Sequence, residues 1–398
     1  MINQHFYPEI AATAQIMSDL AKHLTTEGMQ VTILTGQPSY LPGASKMSPK
    51  EVYQGITIYR VPNTNFSRSN LLGRISNYLT FYSTALFKGL SLPRYDIVIA
   101  LSTPPLIAVL GYLLKRLKRS KFVYWVQDIY PDVAISLGVL RPPISKHSLY
   151  RIAGHIYGHA DAIVAIGEYM QKTLIDKGIQ PNRMTTIHNW CDGSEIYPLD
   201  KSENPFVVEH GLEDQFIVSY SGNLGLGHDL VAVQDTMDHF KKQPELTWLF
   251  IGDGVATPSL QTYVRRSDIS NARFLPYQPY ETLQCSLNAC DVSLILLRDE
   301  LEGKMVPCKV YSALAVGKPV IAVCPKRCEV SDIIQEAQCG FVVPNHNAQK
   351  LIEVLWLLMS NPILRHELGA NGRQYFMANF DRNLAMKRYT GILRKLIA

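Results

Sequence analysis

Phe216-Ile-Val-Ser-Tyr-Ser-Gly-Asn-Leu-Gly-Leu-Gly-His-Asp229 decides how this chain folds. A β-branched and aromatic run, Phe216–Ser221, stops at Gly222, Gly225 and Gly227, and a helical pattern follows with Leu230, Val233, Met237 and Phe240 on one face. Apolar strand, glycine turn and amphipathic helix in succession are the unit of a parallel sheet covered on both faces. Asp229 stands where negative charge favours a helix N-terminus. Downstream, strand-like runs recur at Trp248–Ile251, Arg273–Leu275, Val292–Leu297, Pro319–Val323 and Phe341–Val343, and a closing helix is expected over Arg382–Leu396. Upstream the alternation is the same, with strands at Val31–Thr35, Ile56–Val61, Asp96–Ala100, Lys121–Trp125 and Ala162–Ala165. Residues 12–26 make a helix there, carrying Ile16, Leu20 and Leu24 every fourth position and stopped by Gly28. The fold class is α/β, with two doubly wound, Rossmann-like domains. A doubly wound domain needs a strand before its first helix, and only Met1 to His5 is available. Strand one is therefore cut short, or the chain starts upstream.

A single core stops growing at roughly 250–300 residues, so 398 residues predict two domains with a cleft between them. The expected division is 1–190 and 191–380, the polar stretch Asp200–Asn204 serving as linker, with residues 381–398 packing back toward the first domain. An apolar share of 47% and a charged share of 18% exclude a disordered chain and a coiled coil. The longest apolar run, Pro104–Leu114, is 11 residues, against the ~20 a spanning helix needs. No basic and apolar leader opens the chain, and its seven cysteines are an odd, scattered set, which points to a reducing cytoplasm. Residues 1–190 hold 19 Lys and Arg against 10 Asp and Glu, leaving 20 against 24 in the remainder. The basic first half suits nucleic acid, an anionic membrane surface or a phosphorylated ligand.

In an open parallel sheet, ligands bind at the carboxyl ends of the strands near the switch point. Three turns there carry candidate chemistry. Ser221-Gly-Asn-Leu-Gly-Leu-Gly-His228 lets backbone approach a phosphate closely, or is a plain turn; it is neither a Walker loop nor a dinucleotide fingerprint. Leu301-Glu-Gly-Lys-Met-Val-Pro-Cys-Lys-Val-Tyr311 puts Lys309 in the first turn of a helix, where the dipole disfavours a cation unless an anion is bound. Glu302 has the acceptors to hold ribose hydroxyls; the plainer reading is a solvated lysine and an exposed glutamate. In Tyr124-Trp-Val-Gln-Asp-Ile-Tyr-Pro-Asp132, Asp128 lies just beyond a strand and either binds a sugar hydroxyl or caps the next helix. Gly252-Asp-Gly254 is a weaker signal, a tight turn as readily as a ligand contact. Cys324 and Cys328 lack a second ligand pair at zinc spacing, so no metal is expected, and no nucleophile elbow or nucleic-acid motif occurs.

The basic surplus concentrates in two places. Residues 66–94 mix Leu71, Leu72, Tyr78, Leu79, Phe81, Tyr82, Leu86 and Phe87 with Arg68, Arg74, Lys88 and Arg94, and Leu113–Lys121 holds Lys115, Arg116, Lys118, Arg119 and Lys121. Such a surface fits an anionic bilayer; equally, the apolar residues are core and the charges a solvated face.

These stretches resemble glycosyltransferase family 4, in the bacterial branch that holds the fucosyl- and N-acetylfucosaminyl-transferases of colanic acid and O-antigen assembly. The likeness runs through His5-Phe-Tyr-Pro-Glu9, Tyr124–Asp128, Tyr130-Pro-Asp132, Ala160–Val164, Ile187–Trp190, Tyr220–Gly225, Val306-Pro-Cys-Lys309 and Leu314–Ile321. It implies the GT-B fold and a retaining, metal-independent transfer, with no cofactor, from a UDP or GDP sugar to a polyprenyl-linked saccharide, by a cytoplasmic enzyme peripheral at the membrane. By that analogy Gly222, Asn223, Leu224 and Gly225 lie against the donor diphosphate, with Gly252 nearby, and Lys309 neutralises it. Glu302, Gly303, Val306 and Pro307 are near the donor, and Leu275, Pro276 and Tyr277 touch the base. Glu9, Gln127 and Asp128 belong to the acceptor side, and Asp128 and Lys309 are the expected catalytic residues. The chain departs from the wider family at Asn223 and His228, where Arg and Lys are common, at Lys304 and Ser312, where paired glutamates stand, and at Gln127, where histidine is common. The rival readings are a UDP-N-acetylglucosamine 2-epimerase type of enzyme and a degenerate protein that only binds nucleotide sugar.

Overall fold

The computed structural model describes residues 1–9, 11–38, 47–66, 71–140 and 145–398. The chain divides into two compact units, Met1–His188 with Ala385–Ala398, and Asn189–Leu384.

The first unit holds β1 (Thr32–Gly36), β2 (Lys50–Tyr53), β3 (Ile56–Val61), β4 (Ile97–Leu101), β5 (Lys121–Val126), β6 (Ala162–Ala165) and β7 (Met184–Thr186). Their order is β2-β3-β1 and β4-β5-β6-β7, and Ile2 joins the halves through parallel bridges to Leu34 and Ala100. Ile2 N donates to Ile99 O at 2.8 Å and Leu34 N to Met1 O at 2.9 Å. The expected first strand is thus a single bridged residue. It still directs Asn3 to Glu9 toward the carboxyl end of the sheet. Among the described residues only β2 runs antiparallel, turned back at Gln54 and Gly55, whose φ values of 50° and 78° suit a two-residue hairpin. β2 is an edge strand of alternating exposure carrying Lys50 and Glu51, and β7 has three residues, so neither has an apolar run to announce it. The helix Ala12–Thr26 buries Ile16, Met17, Leu20 and Leu24. The final helix, Arg382–Ile397, sets Tyr389 against Trp125 with ring centroids 5.0 Å apart, and Thr390 Oγ1 meets His23 Nε2 at 3.0 Å.

The second unit holds β8 (Phe216–Ser221), β9 (Leu246–Ile251), β10 (Ala272–Leu275), β11 (Val292–Leu296), β12 (Val320–Val323) and β13 (Gly340–Val343). They form one fully parallel sheet in the order β10-β9-β8-β11-β12-β13. The chain builds outward from β8, then restarts at β11 on its other side, so the switch point lies between β8 and β11. Trp248, Val218, Leu294 and Val323 of the sheet pack with Met237, Phe240 and Leu351 of the helices, all buried. Each fully buried aliphatic side chain contributes about 1.5–3 kcal/mol, so layers of this kind carry the stability and leave the turns at the strand ends to be shaped by other demands.

Candidate functional site

At the switch point the turn after β8 meets the segment after β11. A Cβ built on Gly222 would stand 2.7 Å from Lys309 Cε, and one on Gly227 would stand 2.9 Å from Leu301 Cδ1. Arg298 N donates to Gly227 O at 3.0 Å. Gly222 has a φ of 123°, a conformation that L side chains rarely adopt. A second glycine turn, Gly252-Asp253-Gly254 after β9, supports the first. Gly222 N donates to Ile251 O at 2.7 Å, Leu224 N to Asp253 O at 2.9 Å, and Ala256 N to Leu224 O at 3.0 Å. The two backbones approach so closely that a Cβ on Gly252 would lie 2.4 Å from Gly222 O, and one on Gly254 2.2 Å from Leu224 O. Gly254, the second glycine of the weaker Gly252-Asp-Gly254 signal, thus supports the Gly222 turn through close backbone packing. The third turn, Leu275-Pro276-Tyr277, completes the series, with Gly252 N donating to Leu275 O at 2.9 Å and Tyr277 Oη to Asp253 O at 3.2 Å.

Lys309 begins the short helix Lys309–Ala315, and its ammonium stands 5.0 Å from the centroid of the Tyr220 ring. Among the described residues no carboxylate pairs with it. Desolvation holds its pKa below the usual lysine value. A desolvated cation over an aromatic face, without a counter-ion, is suited to receive an anion. The turn beside it offers less backbone than the sequence suggested. Leu224 N is taken by Asp253 O, Gly225 N donates to His228 Nδ1 at 2.8 Å, and the Leu224 side chain is buried in the core. Leu224 and Gly225 therefore brace the turn, and among the described residues the Asn223 N–H is the group of these three left unengaged.

Glu302 follows the Asp299–Leu301 turn with its side chain exposed, its N–H donating to Asp299 O at 3.2 Å. Gly303, with a φ of 65°, Val306 and Pro307 are buried beside it. The expected donor-side residues thus gather at one carboxyl edge of the second unit's sheet.

In the first unit, Gln127 and Asp128 follow β5, and both of their N–H groups donate to Ser102 Oγ, each at 2.9 Å. The next helix begins at Asp132 with Pro131 at its cap position, so Asp128 is no helix cap. Asp128 is partly buried beside Tyr124, Tyr130 and Tyr157, and desolvation pushes its carboxyl up to about 6. Glu9 is buried, and its Oε2 lies 2.6 Å from His5 Nδ1, so that carboxylate is already engaged. Asp132 is held by Lys177 Nζ at 2.6 Å and accepts from Tyr150 Oη at 3.2 Å. Among the described residues no group of three or more His, Cys, Asp or Glu is arranged to hold a metal ion.

Residues 12–190 match the family model described as a glycosyl transferase 4-like domain, and residues 202–375 match that of glycosyl transferases group 1. The chain belongs to the family 4 glycosyltransferases. Two curated relatives share that character. The probable glycosyltransferase WbjE of Pseudomonas aeruginosa is 26% identical over 77% of this chain and 76% of its own. The putative colanic acid biosynthesis glycosyl transferase WcaI of Escherichia coli is 22% identical over 86% of this chain and 92% of its own. Among solved structures, HepE of Anabaena in complex with UDP-glucose superposes with a TM-score of 0.75 at 15% identity, covering 99% of both chains. That likeness carries the fold, and two Rossmann-like units make this glycosyltransferase a GT-B enzyme.

Proposed function

We propose that this glycosyltransferase moves a sugar, with retention and without a metal, from a UDP or GDP sugar to a lipid-linked saccharide during assembly of a cell-surface polysaccharide. The observation that carries the reading is the Lys309 ammonium, without a carboxylate partner among the described residues, beside Gly222 and the Asn223 N–H at the switch point of the second unit's sheet. Departure of a nucleoside diphosphate builds negative charge on its phosphate oxygens, and preorganised donors stabilise that charge without a protein nucleophile. Glu302 and Tyr277 border the same edge and are assigned to ribose and base; Gln127 and Asp128 in the first unit are assigned to the acceptor. The colanic acid named for WcaI and the UDP-glucose bound to HepE support the product class and the donor class. Thermal unfolding of the full chain with UDP, GDP, ADP or dTDP, each with and without EDTA, tests the reading. One nucleotide at 100 times its Kd adds about 2.7 kcal/mol, an expected rise of roughly 5–10 °C for a unit of this size. No shift from any of the four removes the donor site, and a shift abolished by EDTA removes metal independence.

The first unit is assigned a peripheral contact with an anionic bilayer. No helix among the described residues is long and apolar enough to cross a membrane. The helix Leu71–Ser91 buries Asn77, Phe81 and Ala85 on one side and presents Leu72, Ile75, Leu79 and Phe87 on the other, 72%, 43%, 58% and 73% exposed. Phe81 is therefore core. Arg68 lies outside the described residues. Lys115 pairs with Asp161 at 2.7 Å, Lys118 donates to Leu92 O, Lys88 lies over Tyr59 and Arg74 is half-buried, so among the described residues the exposed basic set narrows to Arg94, Arg116, Arg119 and Lys121. Each basic residue near lipid is worth about 1 kcal/mol, so Arg116→Glu with Arg119→Glu is expected to weaken sedimentation with anionic vesicles at least ~30-fold. Unchanged sedimentation would return those arginines to a solvated face.

A further inference from the structure

His228 is no expected donor contact itself, yet it is half-buried within the donor-side turn. Gly225 N reaches His228 Nδ1 at 2.8 Å, His228 Nε2 lies 3.1 Å from Tyr220 Oη, and Tyr220 Oη lies 2.7 Å from Asn223 O. The directions of these bonds follow from chemistry. A peptide N–H only donates, so Nδ1 is the acceptor and the imidazole carries its proton on Nε2. That proton goes to Tyr220 Oη, whose own proton goes to the Asn223 carbonyl. The 3.0 Å approach of Nδ1 to Gly225 O would require a proton on Nδ1 facing the Gly225 N–H, and so is a contact without a hydrogen bond. Burial, with the nearby Lys309 charge, pushes the His228 pKa down to about 4, so the ring is neutral at working pH.

We propose that His228 is the positioning residue of the diphosphate site: it ties Gly225 to Tyr220, and through Tyr220 fixes both the Asn223 peptide and the aromatic platform under Lys309. The Asn223–Leu224 peptide is clamped at both ends, its carbonyl by Tyr220 and its N–H by Asp253 O at 2.9 Å. That clamp leaves the Asn223 N–H as the turn's outward donor. Tyr220 is also the ring beneath the Lys309 ammonium, so one side chain sets the place of both anion contacts. His228 is a neutral pin in this turn, which leaves the positive charge to Lys309. The inference rests on the nucleotide-sugar reading of this site.

Binding of UDP and GDP to the full chain by calorimetry tests it, with wild type, His228→Phe, Tyr220→Phe, their double variant, His228→Asn and His228→Gln. His228→Phe keeps the ring volume and loses both bonds; it is expected to weaken binding at least about tenfold, as is Tyr220→Phe. The double variant should bind within about twofold of either single, because both act through one chain of bonds. His228→Asn keeps an acceptor where Nδ1 stands and His228→Gln a donor where Nε2 stands, so each should recover part of the loss. Nitrogen NMR of the unliganded wild type should show an unprotonated Nδ1 and a protonated Nε2, unchanged from about pH 6 to 8. Wild-type binding by His228→Phe, losses that multiply in the double variant, or a protonated Nδ1 would each overturn the role of His228 alone. Wild type that binds neither nucleotide overturns the reading of the site and this inference with it.

Discussion

Lys309→Met is expected to weaken binding of the donor's nucleoside diphosphate by about 10- to 150-fold while leaving the unliganded protein as stable or more so. Each charge-assisted hydrogen bond to a phosphate is worth about 1.5–3 kcal/mol, and methionine supplies none. The stability effect has the opposite sign because the ammonium is desolvated and, among the described residues, lacks a carboxylate; the Tyr220 ring, 5.0 Å away, offsets only part of that cost. The pKa of Lys309 is lowered on folding, so the unfolded chain binds more protons in the window between the folded value and about 10.4, and stability rises with pH across it. Lys309→Met should lose that rise. Calorimetric titration with the nucleotide and melting curves from neutral to alkaline pH check both halves. Wild-type affinity in the variant would take Lys309 out of the site.

Asp128→Asn is the complementary experiment in the first unit. It is expected to lower kcat for transfer by about 10²–10⁴-fold, the range for loss of a positioned carboxylate that handles a proton, and to raise the melting temperature at neutral pH. Burial raises the carboxyl from 3.8 to about 6. A raised folded pKa means that the native state is favoured below about pH 4, and that this advantage is lost as pH rises through about 6. Above that pH the charged form is held at a cost of up to ~3 kcal/mol, reduced by the solvent its partly exposed side chain retains. Asparagine removes the cost and the slope between about pH 4 and 6. Full transfer activity in Asp128→Asn would release Asp128 from acceptor chemistry, and a persisting slope would show that another group titrates.

Much of this was legible in the residues because parallel strands buried on both faces must be apolar runs, and turns at their carboxyl ends must admit backbone to a ligand. Phe216–Ser221 and Lys121–Trp125 are readable as strands on those grounds, and the Gly222 turn and Lys309 stand at the strand ends that they single out for a ligand. Ile2 is not readable in this way, since one bridged residue has no period. β2 was hidden by Lys50 and Glu51 at a sheet edge. Lys115 and Lys118 read as free surface charge, yet the fold ties them to Asp161 and to Leu92 O. His228 is only a departure from a family pattern in the sequence, and its place between Gly225 and Tyr220 is what gives it a reason.

The alternation of buried and turn-forming residues, a local property of the chain, dictated the α/β class, the two sheets and the edge on which to look for a ligand. Tertiary structure alone decided that the second glycine turn braces the first, that Leu224 and Gly225 have their N–H groups already taken, and that Lys309 lies over Tyr220 without a counter-ion among the described residues. Those outcomes depend on atoms from separate strands meeting within a few ångströms, where hydrogen-bond direction and desolvation set energies that no spacing along the chain encodes.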